Sequence, residues 1–513
     1  MSKVKEIYEE IESVVGPEYV TDKDFMKAAY SRNVDPAFPD RWADVIVRPE
    51  TTEEVSEIVK IANKYKITIV PRGGGADLVG GSVSEGGILM DLTRMDRIIE
   101  INEKDFYCVV ECGVTWGKLI STLHPMGLTT GVLGPGSGYS ATIGGGLSNS
   151  TAGAGSTKYG LVPDICLGVE VVLPNPEGTI IKTGSAANRY AKPFCRYGVS
   201  PDFTGLFMGD VGTMGIKTKA FLRLFPLQPY RKSLNFLMNT NDWEKVTELT
   251  HEVQTKLGDG LNSMGILPFT VVMMMYGMSQ NKPKKRPKIR GPAFNITLEA
   301  SDERILDIYI EKLNEIMLKD DACREFKFSE FDMGVVEAKE NEVILKNTFH
   351  YFNKYIGIMP GMISLTTCHK VPISFIPKGE PYAAKFDKKF MNEFPLKAVS
   401  LFATVIYVLP NGHCVFVGGL TAYNRDDQRE KAMNAWHKKL RAQVRYGGAH
   451  YWLGESISQS IVEAGAYTPE FTQFFKDMKK AVDPNFILSP KKFHMYSYDD
   501  DISTHIIEDE PYR

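Results

Sequence analysis

Two glycine-rich stretches constrain this chain more than any other feature. The first reads Pro71-Arg72-Gly73-Gly74-Gly75-Ala76-Asp77-Leu78-Val79-Gly80-Gly81. The second runs from Gly134-Pro135-Gly136-Ser137-Gly138 through Thr142-Ile143-Gly144-Gly145-Gly146 to Gly153-Ala154-Gly155. Glycine inside a helix or strand costs roughly 0.5–1 kcal/mol relative to alanine, so neither stretch is expected to be regular structure. The cost is acceptable where backbone must approach a ligand or adopt positive φ. Amides bared in this way converge on one spot and form an anion cradle. Both loops are therefore read as holding one large phosphate-bearing cofactor. A β-branched strand at 67–70 leads into the first loop, but a second strand at 87–92 follows it. The dinucleotide fingerprint needs a helix there, so a nicotinamide site of that type is excluded.

With 513 residues, two or three domains are expected. A net charge of −3 argues against a nucleic-acid binder. There is no run of 18 apolar residues, so no transmembrane segment is expected. The N-terminus opens an acidic amphipathic helix without the apolar region of a signal peptide, and a cytoplasmic location is expected. The seven cysteines are scattered, at 108, 112, 166, 195, 323, 368 and 414, and suggest no disulfide framework. Cys108 and Cys112 read as buried apolar thiols rather than a metal pair. Without a Cys-x-x-Cys, the chain carries no evident iron–sulfur cluster of its own.

Helices are expected at 2–15, 22–30, 115–126, 242–257, 301–319, 426–445 and 470–482. A further helix opens at Thr51-Thr52-Glu53-Glu54, a cap followed by early carboxylates, with Val55, Ile58, Val59 and Ala62 as its buried face. Strands are expected at 105–114, 162–173, 179–183, 216–224 and 230–238, with a hairpin at 403–409 and 413–418. Asn281–Arg290 reads as a solvated basic loop, and the acidic tail from Tyr496 as frayed or draped over a partner. The expected domains are 1–226, 227–470 as a second, substrate-side domain, and 471–513 returning to the first.

The ordered series of both loops, Lys158-Tyr159-Gly160, Leu167 to Pro174, Thr204-Gly205-Leu206-Phe207, Gly212-Thr213-Met214-Gly215 and the closing Val482 to Lys491 resembles the vanillyl-alcohol oxidase / p-cresol methylhydroxylase superfamily. Its nearest branch is the D-lactate and glycolate dehydrogenase flavoprotein subunits. The resemblance implies an α+β fold: a two-subdomain FAD-binding domain of p-cresol methylhydroxylase type and an α/β cap with an antiparallel sheet. It implies FAD, with amides of 73–77, Gly80 and Gly81 on the pyrophosphate, and Ser137, Thr142, Gly144, Gly145 and Gly146 along the ribityl and pyrophosphate path. Gly153, Tyr159, Gly160 and Ile216 fall near the flavin or adenine end. Arg72, Pro135, Gly136, Ser148, Asn149 and Gly215 are further cofactor contacts. Some members tether flavin through a histidine in the first loop, where Ala76 stands, and others through a site in the cap to which no residue of this chain is matched; non-covalent FAD is expected.

On the substrate side, a proton acceptor must accompany hydride removal by flavin. The candidates are His450 and His413 as the base, Glu455 and Tyr451 beside it, and Arg445, which either caps carbonyls or clamps a substrate carboxylate. His413 serves equally as a structural histidine at its hairpin, and Tyr451 and Trp452 as core aromatics. The hydroxy-acid branch holds a divalent metal with paired histidines and a Gly-Glu-His-Gly motif. Here Ser456 replaces that histidine and His413 is alone on its strand, so no metal site is assigned. The leading expectation is oxidation of a small hydroxylated substrate, a 2-hydroxy acid of D-lactate or glycolate type. Alternatives are a para-substituted phenol oxidase or methylhydroxylase, an alkylglycerone-phosphate-synthase-like flavoenzyme, and a non-catalytic electron-relay subunit. Electrons would pass to an iron–sulfur or electron-transfer flavoprotein subunit or to oxygen, in a homo- or hetero-oligomer.

Overall fold

The computed structural model describes residues 3–31, 41–77, 79–269, 272, 289–325, 362–382, 385, 403–410, 414–451 and 453–508. Most of the basic run at 281–290, together with His413 and Trp452, lies outside the described residues.

The chain opens with α1 (Lys3–Val15), β1 (Val20–Thr21), α2 (Asp24–Tyr30), β2 (Val45–Val47), α3 (Thr52–Tyr65), β3 (Ile69–Arg72) and β4 (Ile88–Asp91). The Thr51 side chain accepts the Glu54 amide at 3.1 Å, and Lys66 at φ 49° ends α3, so the expected helix has the expected cap. Val55, Ile58, Val59 and Ala62 are fully buried against β2, β3 and β4, whose order is β1-β2-β4-β3. The second sheet is antiparallel, ordered β5-β6-β10-β8-β9. It comprises β5 (Ile98–Asn102), β6 (Tyr107–Glu111), β8 (Cys166–Val172), β9 (Ile180–Lys182) and β10 (Ile216–Arg223). α4 (Trp116–Leu123), β7 (Leu128–Thr129), α5 (Ile143–Ser148) and α6 (Ser156–Tyr159) lie between β6 and β8, and β11 (Phe225–Pro226) pairs with β7.

Two expectations are corrected here. Gly144, Gly145 and Gly146 are inside a helix, α5, capped by Thr142. A Cβ at Gly144 would stand 2.8 Å from that of Cys112, and one at Gly146 2.8 Å from Trp116 Nε1. The helix lies too close to its neighbours for side chains, and that packing outweighs the propensity cost. The strand expected from Val162 begins at Cys166. Pro163 and Asp164 form a 3-10 turn, where Asp164 accepts the Leu161 amide at 2.7 Å.

The remaining elements are β12 (Tyr230–Met238), α7 (Trp243–Leu257), β13 (Leu261–Leu267), β14 (Ala293–Ala300), α8 (Glu303–Met317), β15 (Cys323–Glu325), β16 (Met362–Pro372), β17 (Ala403–Val408), β18 (Cys414–Asn424), α9 (Arg425–Arg445), β19 (Ala449–His450), α10 (Glu455–Glu463) and α11 (Pro469–Val482). The eight strands form one sheet, β15-β12-β14-β13-β17-β18-β16-β19. Directly opposed residues share a face. One row runs Phe236, Phe294, Ile266, Ile406, Val417, His369, His450. Its apolar members pack with Val246, Leu249 and Val253 of α7 and Leu306 and Leu313 of α8. Fully burying each large apolar side chain contributes about 1.5–3 kcal/mol.

The adjacent row is Asn235, Asn295, Gly265, Tyr407, Phe416, Lys370, Ala449, and it takes the other face. That face meets the first domain. Phe416 packs with Ala152 and Leu161, and Ser263 Oγ accepts the Gly155 amide at 2.8 Å. The tail to Ile507 folds back on its own chain, where the Ile507 amide donates to Glu463 O at 2.8 Å. The described chain contains no helix long and apolar enough to cross a membrane.

Candidate functional site

The two glycine stretches form one unit because their backbones touch. A Cβ at Gly74 would lie 1.7 Å from Ser140 O, and one at Gly73 2.2 Å from Thr142 Oγ1. Beyond this contact the first loop turns on Asp77, whose Oδ1 accepts the amides of Val79 at 3.2 Å and Gly81 at 2.8 Å. Ser82 Oγ donates to the same carboxylate. Arg72 donates to Ser82 O at 3.0 Å, and burial pulls its pKa down while Asp77 and Asp91 oppose the shift. Among the described residues, the amides of Gly74, Gly75 and Ala76 make no bond to the chain. These three consecutive donors beside a guanidinium suit a diphosphate.

The second loop differs from expectation. The Gly144 amide donates to Cys112 O, Gly145 to Thr142 Oγ1 and Gly146 to Thr142 O. Those amides are committed to the fold and are not an anion cradle, and Gly81's is likewise taken by Asp77. Pro135, Gly136, Gly144, Gly145, Ser148, Asn149 and Gly153 nevertheless keep partial solvent access in otherwise buried surroundings. Asn149 Oδ1 is buried without a partner. These surfaces can line a cofactor. Ser137 is buried and its carbonyl accepts the amides of Ser140 and Ala141, both at 2.9 Å.

Gly215 packs against Val171 and Phe207, and the Ile216 side chain is fully buried in the core, so Ile216 can offer a ligand only backbone. The Gly160 amide donates to Ser156 O. Tyr159 donates to Glu299 Oε1 at 2.9 Å, beside Lys158 at 2.9 Å, and so ties the first domain to the cap.

The catalytic expectations fare unevenly. His450 lies on the helix-covered face of the cap sheet, paired in register with His369 and bonded through Nδ1 to Cys368 O at 3.3 Å. Burial pushes its pKa down to about 4, and that of His369 to about 3. Both are neutral at pH 7, the form a base needs, but they lie on the sheet face turned from the first domain, and that placement corrects the reading of His450 as the base. His450→Leu is expected to leave the rate of substrate oxidation within about threefold, measured by stopped flow. One hydrogen bond is lost, about 0.5–1.5 kcal/mol, and apolar volume replaces the imidazole.

Arg445 is exposed, and it donates to Ala464 O at 3.4 Å and to Ile507 O. It caps carbonyls, which corrects the carboxylate-clamp alternative. Glu455 is buried beside Arg41 at 2.6 Å and Lys492 at 3.5 Å. It is an ion-paired anchor under the first loop. Tyr451 remains at the interface, with its hydroxyl bonded to the Ala152 amide and its ring edge-on to Phe416 at 4.5 Å.

Sequence reasoning missed Tyr407 and Phe416. Tyr407 keeps 42% exposure on the face turned to the first domain, and desolvation raises its phenol pKa. Period-two alternation along β17 and β18 was the signal that could have found both. Among the described residues no group of three or more His, Cys, Asp and Glu could hold a metal.

Residues 43–184 match the family described as the FAD binding domain. The chain is 34% identical over 239 residues to the glycolate oxidase subunit GlcD of Bacillus subtilis, covering 46% of this chain and 48% of that one. It is 34% identical over 223 residues to a probable mitochondrial D-lactate dehydrogenase of Danio rerio, covering 43% of each. The match thus spans less than half the length of each of these curated relatives. The structure of p-cresol methylhydroxylase with substrate bound superposes with a TM-score of 0.81 at 18% identity, over 98% of both chains. The fold is therefore the two-subdomain flavin-binding fold with its α/β cap. FAD is the cofactor for which the first domain is built, and the donors at Gly74–Ala76 with Arg72 fit its diphosphate.

Proposed function

We propose that the protein is an FAD-dependent oxidoreductase that oxidises a small hydroxylated substrate between the flavin domain and the cap face carrying Gly265, Tyr407 and Phe416. One juxtaposition carries this reading. The donor run at Gly74–Ala76 belongs to the domain that Gly155 and Ala152 tie to that cap face, through Ser263 and Tyr451. When bound, FAD would supply the acceptor for the substrate's hydride, and the hydroxyl proton would go to His413, the remaining expected base. Gly74, Gly75, Ala76 and Arg72 would hold its diphosphate, and Asp77 keeps their loop in shape. Phe416 and Tyr451, both buried, would exclude water on that side. Tyr407, with its raised pKa, stays protonated at neutral pH and can donate a hydrogen bond to a substrate oxygen. With Ala76 at the first-loop tether position, no covalent bond to the cofactor forms there. The electrons then pass to a separate iron–sulfur or electron-transfer flavoprotein subunit, or to oxygen.

The relatives of the flavin domain support a 2-hydroxy acid such as glycolate or D-lactate. A second reading, a para-substituted phenol, has its own observation. Tyr407, Phe416 and Tyr451 make this part of the cap face aromatic, and Arg445 is engaged with the carbonyls of Ala464 and Ile507. Anaerobic mixing of the holoprotein with D-lactate, glycolate, vanillyl alcohol and p-cresol separates them. Bleaching of the flavin by the hydroxy acids is the expected result. Bleaching by the phenols alone moves the substrate to the second reading, and a flavin that no member reduces defeats both.

A further inference from the structure

We propose that Lys492 is a cofactor-positioning residue that grips the first glycine loop from behind, so that the closing segment of the chain sets how tightly the diphosphate is held. The inference rests on the FAD reading above. Lys492 is 2% exposed and donates to Gly80 O at 2.7 Å and Val83 O at 3.0 Å. Its third partner, Glu455 Oε2, is 3.5 Å away and lies closer to Arg41, at 2.6 Å. The ammonium is therefore given chiefly to the loop's own carbonyls.

The same loop is touched from this side a second time. At Gly454, which precedes α10, an added Cβ would lie 2.1 Å from Val79 O. Residues 79, 80 and 83 are thus held by a segment some 400 positions later in the chain, while Asp77 fixes Val79 and Gly81 from within the loop. Burial pushes the Lys492 pKa down, and Glu455 and Asp77 oppose that shift. A buried charge is a costly way to brace two carbonyls, which a neutral donor could satisfy. What the charge adds is a positive field behind a backbone cradle whose donors, Gly74 to Ala76, face an anion. Sequence spacing gave no hint of this, because Lys492 is one of two adjacent lysines and its neighbour Lys491 instead pairs at the surface with Glu85 at 2.8 Å.

The test uses the full chain stripped of flavin, with FAD titrated back by fluorescence quenching and thermal unfolding of each apo form followed in parallel. Lys492→Met is expected to lose at least 30-fold in FAD affinity, and Lys492→Arg less than fivefold. Glu455→Gln keeps the size but removes the opposing charge, and is expected to tighten FAD binding two- to fivefold. A Lys492→Met chain that melts earlier but binds FAD as wild type does has lost only a brace, which overturns the proposal. If Lys492→Met does not fold, Glu455→Gln decides: unchanged or weaker binding overturns the proposal, and tightening sustains it. Wild-type chain that takes up no FAD instead defeats the cofactor reading itself.

Discussion

A chain carrying Gly74→Ala is expected to purify colourless, with FAD affinity lowered at least about 100-fold, or about 2.7 kcal/mol. The added methyl would sit 1.7 Å from Ser140 O and 2.6 Å from the carbonyl carbon. Both are backbone atoms, so no rotamer change relieves the clash. Ser140 cannot retreat alone. Its amide and hydroxyl donate to Ser137 O at 2.9 and 3.1 Å, and Ala141, the next residue, accepts the Trp116 amide at 3.1 Å. The first loop must therefore move away by more than an ångström, taking the donors of Gly75 and Ala76 with it. Overpacking of this kind typically costs 1–3 kcal/mol in stability, so the apoprotein should still fold. The ratio of 450 to 280 nm absorbance and a direct FAD titration read the result. A yellow variant with wild-type affinity would show that the contact between the loops does not shape the cofactor site.

That experiment bears on what the sequence could and could not reveal. The position of both glycine stretches was legible, because few roles tolerate so many glycines in a row. Their separate reasons were not. Gly74 is needed for contact with Ser140, and Gly144 and Gly146 for the approach of α5 to Cys112 and Trp116, and such proximity exists only after folding. α3 was legible to its cap because Thr51 and Glu54 act within four residues. His450 failed for the opposite reason. Its chemistry invited a catalytic role, but the face it occupies is set by register with His369, 81 positions earlier. Strands β13, β14 and β16 were not recognised at all. Asn262, Ser263 and Gly265 interrupt the apolar alternation of β13, since one of its faces borders the flavin domain instead of a dry core.

The same interruption supports the second large effect. Gly265→Leu is expected to keep the fold and its FAD while substrate reduction of the flavin slows at least about 100-fold, again about 2.7 kcal/mol, now in the reaction barrier. An added Cβ at Gly265 would find Tyr407 Cε1 at 3.9 Å, and Asn295 O and Ile406 O both at 4.0 Å. These are ordinary contacts, so the backbone need not shift. The rest of the leucine must project from the face that carries Tyr407, Phe416 and Ser263, toward the flavin domain, where it takes the volume a substrate would occupy. Misplacement of a reactant by about 1 Å can itself cost about 100-fold. Gly265→Ala adds only the first carbon and is expected to stay within about threefold, which separates blockage from any effect on strand β13. Stopped-flow reduction with whichever substrate bleaches the wild type, alongside flavin content and thermal midpoint, decides the matter. Reduction of the leucine variant at the wild-type rate would place the chemistry away from this face of the cap, and Tyr407 and Phe416 would lose their assignment with it.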